Sequence, residues 1–153
     1  VDICQNAIDM AHALGNHDVR VAILSAMETL TSKVPSTIEA AALCKMADRG
    51  QITGGLLDRP LAFDNAVSIA AARIKGIVSE VAGQADILVV PDLESGNMLA
   101  KQLIFMGGAA SAGIVLGAKV PVILTSRADS RDTRIASCAI ALMLAHHYRL
   151  SPP

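Results

Sequence analysis

Tryptophan is absent from this 153-residue sequence, and its aromatic complement is one tyrosine and two phenylalanines. A core without large rings must be built from Ala, Val, Ile and Leu, and in a chain that is 52% apolar this suits closely layered α/β packing. A surplus of charge is lacking too. Thirteen Lys plus Arg against fourteen Asp plus Glu leave a net charge of −1, which points away from nucleic acid and from an anionic membrane surface as partners. Cysteine is scarce and odd in number. Cys4, Cys44 and Cys138 have no ligand-like spacing and fall in apolar helical patterns, so they read as small core thiols in a reducing cytosol. His12, His17, His146 and His147 have no metal spacing with a carboxylate partner, and no metal is expected. Long hydrophobic runs are missing as well. The stretch from Gln102 to Ala118 carries no charge, but Gly107, Gly108 and Gly113 cut it into a helix end, a loop and a strand. No signal peptide is visible. The chain opens with Val1, inside a helical pattern, which predicts a piece of a longer protein.

By length the chain is one domain, large enough for a single core. Residues 2–14 place Ile3, Ala7, Met10, Ala11 and Leu14 on one helical face, and Gly15 ends it. VRVAIL (19–24) is β-branched and reads as a strand. Ser36 and Glu39 have capping-box spacing after Pro35, opening a helix that Gly50 closes. ITGGLL (52–57) is predicted as a strand and 65–75 as a helix capped by Asp64. ADILVV (85–90) is a strand, about 95–106 a helix, AGIVLG (112–117) and VPVILT (120–124) two more strands, and about 129–147 the last helix. Alternation at this spacing predicts a three-layer α/β domain, a mainly parallel sheet with helices on both faces. The short link at 117–120 predicts one antiparallel or edge pairing.

Ligands of open parallel sheets bind beyond the carboxyl ends of the strands. Ser25 and Glu28 follow the first strand, Asp58-Arg59-Pro60 the second, PDLESGN (91–97) the third and SRADS (126–130) the last. Asp64, Ser95 and Asp129 suit helix caps. Arg59, Asn97 and Arg127 do not. An arginine before a helix N-terminus is misplaced against the helix dipole unless an anion lies between them, so TSRADSRDTR (125–134) points to a phosphate site held by Arg127. GGAASAG (107–113) follows a helix and precedes a strand, the wrong order for a dinucleotide-binding loop.

Three segments, AALCKMADRGQITGGLLDRPLAFDNAVS (41–68), ADILVVPDLESGNMLAKQL (85–103) and LGAKVPVILTSRADS (116–130), resemble the phosphate acetyltransferase/phosphate butyryltransferase family, in the expected order. The resemblance covers the carboxyl-terminal half of a family member. It looks closest to the butyryltransferase-like branch and to similar modules fused to an enoyl-CoA hydratase domain. It implies an isocitrate/isopropylmalate dehydrogenase-like architecture, with residues 1–125 as the second α/β domain and 126–153 as a helix that returns to a first domain outside this chain. It implies a cytoplasmic, homodimeric enzyme that exchanges an acyl group between acyl-CoA and acyl phosphate, with CoA and phosphate as substrates and no cofactor. Ser126 and Arg127 match the family's catalytic Ser-Arg pair. The acetyltransferase branch has an aspartate where this chain has Thr133, and Asp132 is the nearest acid and the candidate base. Asp58 and Asp64 fall in the family's D-x-P-L-x-F-D cleft motif, here with Arg59, and Asn97 matches its G-N pair; both aspartates and Asn97 are implied to line the substrate cleft. A non-catalytic dimerisation or binding half-domain, or a dehydrogenase-like relative with metal-binding aspartates at i, i+4, are the alternatives; residues 129–133 offer only Asp129 and Asp132.

The last helix carries no charged residue from Ile135 to Tyr148. Ile135, Ala139, Leu142 and Met143 share one face, and Ile140 and Leu144 lie on the other. A helix apolar all round needs cover on more than one side, so the Ile140–Leu144 flank is expected to face something outside this chain's own sheet.

Overall fold

The structure, a computed structural model, describes residues 1–150. Its elements are α1 (Asp2–Ala13), β1 (Val19–Leu24), α2 (Pro35–Asp48), β2 (Gly55–Leu61), α3 (Phe63–Val67), α4 (Ile69–Ile74), β3 (Ile87–Val89), α5 (Leu93–Phe105), β4 (Ile114–Val115), β5 (Val122–Ile123) and α6 (Arg131–Leu150).

The sheet is parallel, in the order β2-β1-β3. β1 is its centre and is covered on both faces, which is why VRVAIL is apolar at every position but Arg20 rather than an alternation. Val19, Val21 and Ile23 pack with Cys4 and Ile8 of α1 and Ala40 of α2. Ala22 and Leu24 pack the other way, with Leu61, Ala66 of α3, Ala72 of α4, and Val81. The expected three-layer α/β architecture is therefore present. Arg20, the only charge in β1, sits at its start: Asp86 accepts from its backbone N–H (2.8 Å) and Asp18 from its guanidinium (2.7 Å).

Several boundaries differ from the sequence reading, each for a local reason. Gly54 has φ +80°, so the second strand starts at Gly55 and runs to Leu61 rather than over 52–57. Asp58 consequently lies within β2, opposite Ala22, and Arg59 is the extra residue of a bulge before Pro60. The expected helix over 65–75 is broken at Ser68, whose backbone is extended and whose hydroxyl accepts from Ala71 N–H to cap α4. Asp64 is inside α3 and caps nothing. The Ser36–Glu39 box does not form: Ser36 Oγ is 2.9 Å from Ser25 Oγ, and Thr37 Oγ1 instead donates to the carbonyls of Val34 and Thr31. In α1 the inward face is Cys4 and Ile8, one position round from the expected stripe, and Ile3 is exposed.

The last two strands leave the sheet altogether. β4 and β5 form a separate two-stranded antiparallel ribbon, so the end of the 120–124 strand does not share the parallel sheet's rim. The antiparallel pairing itself is as the short 117–120 link predicts. α6 packs against this ribbon and α1. Its buried side chains are Ser137 and Leu144, while Ile135 (54% exposed), Leu142 (73%) and Met143 (47%) face outward. One flank does lack cover, but it is the opposite one from that expected. No described helix is long and apolar enough to cross a membrane.

Candidate active site

The carboxyl ends of β1 and β2 carry a charged network that no local sequence pattern announces. Glu28, beyond β1, accepts hydrogen bonds from Asn65 Nδ2 and from Lys75 Nζ (2.9 Å). Lys75 also pairs with Asp64 Oδ2 at 3.2 Å. Three segments far apart in sequence are thus tied together at the rim. The Lys75 hydrogen bond, more than any other contact, holds the Glu28 carboxyl below its ordinary range, and the same bond raises the Lys75 ammonium. Asn65 is fully buried, and its Oδ1 has no partner among the described residues.

The signs of these shifts fix a pH window. A lowered carboxyl stabilises the fold above about pH 4.3 and loses that contribution as pH falls through its folded value. A raised ammonium stabilises below about pH 10.4 and loses that contribution as pH rises through its folded value. Stability from this pair should be flat across neutral pH and fall on both sides. Urea midpoints of wild type and Glu28→Gln should converge at both extremes of pH. Glu28→Ala should cost about 1–3 kcal/mol at pH 7, because buried Asn65 Nδ2 loses its acceptor. Equal midpoints for Glu28→Ala and wild type at pH 7 would show the network to be inert.

At the end of β3, Asp92 caps α5 by accepting from Ser95 N–H at 2.7 Å, and this bond lowers its carboxyl. Ser95 is therefore the capped residue, not the cap. Asn97 lies exposed in the second turn of α5. Asp58 is half-buried in β2 and pairs with its neighbour Arg59 at 3.4 Å, and Arg59 also donates to the Val78 carbonyl at 3.0 Å. Burial and the charge of Asp58 push the nearby Cys44 thiol up to about 12, which leaves it protonated and inert at neutral pH. Of the other thiols, Cys4 is buried and Cys138 is exposed, against the core role expected for it.

The Ser126-Arg127 turn joins β5 to α6 and is exposed. Asp129 Oδ2 accepts from Ser126 N–H and closes the turn. The helix cap is Ser130, not Asp129: Ser130 Oγ accepts from Thr133 N–H at 3.1 Å. Asp132 is exposed in the first turn of α6. Asp129 thus orders the segment that presents Ser126 and Arg127. Among the described residues, no hydrogen bond or ion pair links Asp58, Asn97 and Arg127. Asp64 and Asn97 follow strands of one parallel sheet, whereas Arg127 follows the ribbon. The residues missed by sequence reading are Asn65 and Lys75, and the only sign of them was a polar residue inside an apolar helical stretch. No group of His, Cys, Asp or Glu among the described residues is arranged to hold a metal.

The sequence matches the phosphate acetyl/butaryl transferase family over residues 1–142. It is 68% identical to the phosphate acetyltransferase of Rhizobium meliloti over 148 residues, 97% of this chain and 47% of that protein. It is 46% identical to the phosphate butyryltransferase of Clostridium acetobutylicum over 145 residues, 95% of this chain and 48% of that protein. The fold superimposes on a branched-chain phosphotransacylase from Enterococcus faecalis V583 with a TM-score of 0.82 and 37% identity, covering 94% of this chain and 51% of the other. The chain thus spans about half the length of the relatives it matches, and it belongs to the phosphate acetyl/butaryl transferase family.

Proposed function

We propose that this chain is the carboxyl-terminal half of an enzyme that exchanges an acyl group between CoA and phosphate. The observation that carries this reading is the match over residues 1–142 to a family whose relatives bear acetyl- and butyryltransferase names, with the Ser126-Arg127 turn intact.

The chemistry explains why these residue types are needed. In the direction of thioester formation, the CoA thiol loses its proton to a base and the thiolate attacks the acyl-phosphate carbonyl carbon. A carbon–sulfur bond forms, the carbon–oxygen bond to phosphate breaks, and phosphate leaves with the electron pair. Arg127 holds the phosphate through its planar fork and offsets the charge that develops on it. Ser126 donates to the carbonyl oxygen or to the thiol sulfur. Asp132, in the first turn of α6, takes the thiol proton. Asp58, Asp64 and Asn97 belong to the walls of the substrate cleft, and Asp64 is oriented by Lys75. No cofactor enters this scheme. The three thiols form no disulfide, which suits a cytoplasmic enzyme handling a thiol substrate.

Half of the cleft belongs to chain outside this sequence, so orientation and charge stabilisation are incomplete here. The test is acyl-CoA:phosphate exchange by the full-length protein with acetyl-, propionyl- and butyryl-CoA, beside the 153-residue chain alone. Exchange by the full-length protein and almost none by this chain is expected. No exchange with any of the three thioesters would refute the activity, and robust exchange by the short chain would refute its standing as a half-site. Apolar side chains exposed on α5, among them Met98 and Phe105, suit a homodimer contact in the full-length enzyme.

A further inference from the structure

Of the chain's five lysines, only Lys75 pairs with two carboxylates among the described residues. Its Nζ lies 2.9 Å from Glu28 Oε1 and 3.2 Å from Asp64 Oδ2, which occupies two of the donors of the ammonium group. Lys45 pairs with Asp48 alone, within α2, and Lys33, Lys101 and Lys119 enter no ion pair with any described residue. Glu28 is held in turn by the hydrogen bond from fully buried Asn65 Nδ2, so the clamp on Lys75 is anchored in the core. The amine is nonetheless accessible, with 42% of its side chain exposed. The hydrogen bond to Glu28, and after it the one to Asp64, raises the ammonium above its ordinary range.

An acyl phosphate is a mixed anhydride, and a neutral amine attacks it without a catalyst. The nitrogen electron pair forms a bond to the carbonyl carbon, the carbon–oxygen bond to phosphate breaks, phosphate leaves with that electron pair, and the nitrogen's proton passes to water. An ammonium has no electron pair to give. Acylation would also erase the positive charge that Glu28 and Asp64 share. We infer that Glu28 and Asp64 shield the Lys75 amine from acylation by the acyl phosphate that the enzyme handles. This rests on the acyltransferase reading, which brings an amine-reactive substrate to the rim where Lys75 stands. The cluster then has a task apart from binding substrate: it keeps an exposed amine cationic, and with it the tie between Glu28 and Asp64.

The experiment incubates the full-length protein with acetyl phosphate and follows the acetylation rate of each lysine by peptide mass spectrometry. Lys75 should react roughly fivefold more slowly than Lys33, Lys101 and Lys119. Glu28→Gln keeps an acceptor for Asn65 and removes the carboxylate nearest Lys75. It should raise the Lys75 rate by roughly fivefold and leave the other three as they were. Asp64→Asn should act in the same direction, and it decides the matter if Glu28→Gln unfolds the protein and speeds every lysine together. The shield is overturned if wild-type Lys75 reacts as fast as the other three, or if neither variant raises its rate relative to theirs. An acyl exchange assay on the same wild-type sample separates the two ideas. Exchange with an unprotected Lys75 rejects the shield alone. A slow Lys75, released by the variants, in a protein without exchange rejects the acyltransferase reading and keeps the shield.

Discussion

Replacing Arg127 with alanine should lower acyl exchange in the full-length enzyme by about 10²–10³-fold, the loss typical when one donor to a developing oxyanion is removed. The side chain is exposed in the turn between β5 and α6 and enters no ion pair with any described residue, so its removal leaves no carboxylate stranded in the fold. The effect should therefore appear in kcat and in KM for phosphate, with thermal stability within about 0.5 kcal/mol of wild type, as for other surface substitutions. Arg127→Lys should recover only part of the rate, because an ammonium is a point charge and cannot present two parallel N–H groups to two phosphate oxygens. Asp129→Asn separates holding the phosphate from shaping the turn. The amide oxygen can still accept from Ser126 N–H, so the turn should survive, and activity should fall far less than in Arg127→Ala. Wild-type kcat and phosphate KM in Arg127→Ala would remove this residue from the site.

What the sequence made legible follows from where a single physical signal dominates. β1 is apolar at every position but Arg20, and burial on both faces requires that pattern, so strand and sandwich could be read together. The Ser126-Arg127 segment was legible as a turn because it lies between an apolar strand and a long helical pattern. β2 was displaced because Gly54 and Gly55 carry no pattern of their own, and with it Asp58 moved from the rim into the strand. The Glu28–Asn65–Lys75 network joins residues 37 and 47 positions apart, a separation over which no periodicity operates. Asp64 and Ser68 could both cap, and the extended backbone at Ser68 decided between them.

The faces of α6 were read correctly as faces and assigned the wrong way round, and the deciding residue is polar. Ser137 is fully buried; its hydroxyl donates to the Thr133 carbonyl at 2.8 Å and accepts from Gly113 N–H at 3.0 Å. That bond ties the helix to the β4–β5 ribbon and turns Leu144, two helical turns on, into the chain's own interior. Ile135, Leu142 and Met143 are left outside. Leu144→Ala in the 153-residue chain should therefore cost about 2–5 kcal/mol, the range for emptying a fully buried leucine site. Leu142→Ala should change the same chain by no more than about 0.5 kcal/mol, since its side chain meets water already. The full-length protein should reverse the second result. An apolar stripe of this length is unusual on a soluble surface, and the remaining half of the enzyme is the proposed cover. There Leu142→Ala should also cost about 2–5 kcal/mol, read from urea midpoints at constant denaturant slope. A Leu142→Ala effect that stays below 0.5 kcal/mol in both proteins would mean that the outer face of α6 is solvent-exposed in the whole enzyme.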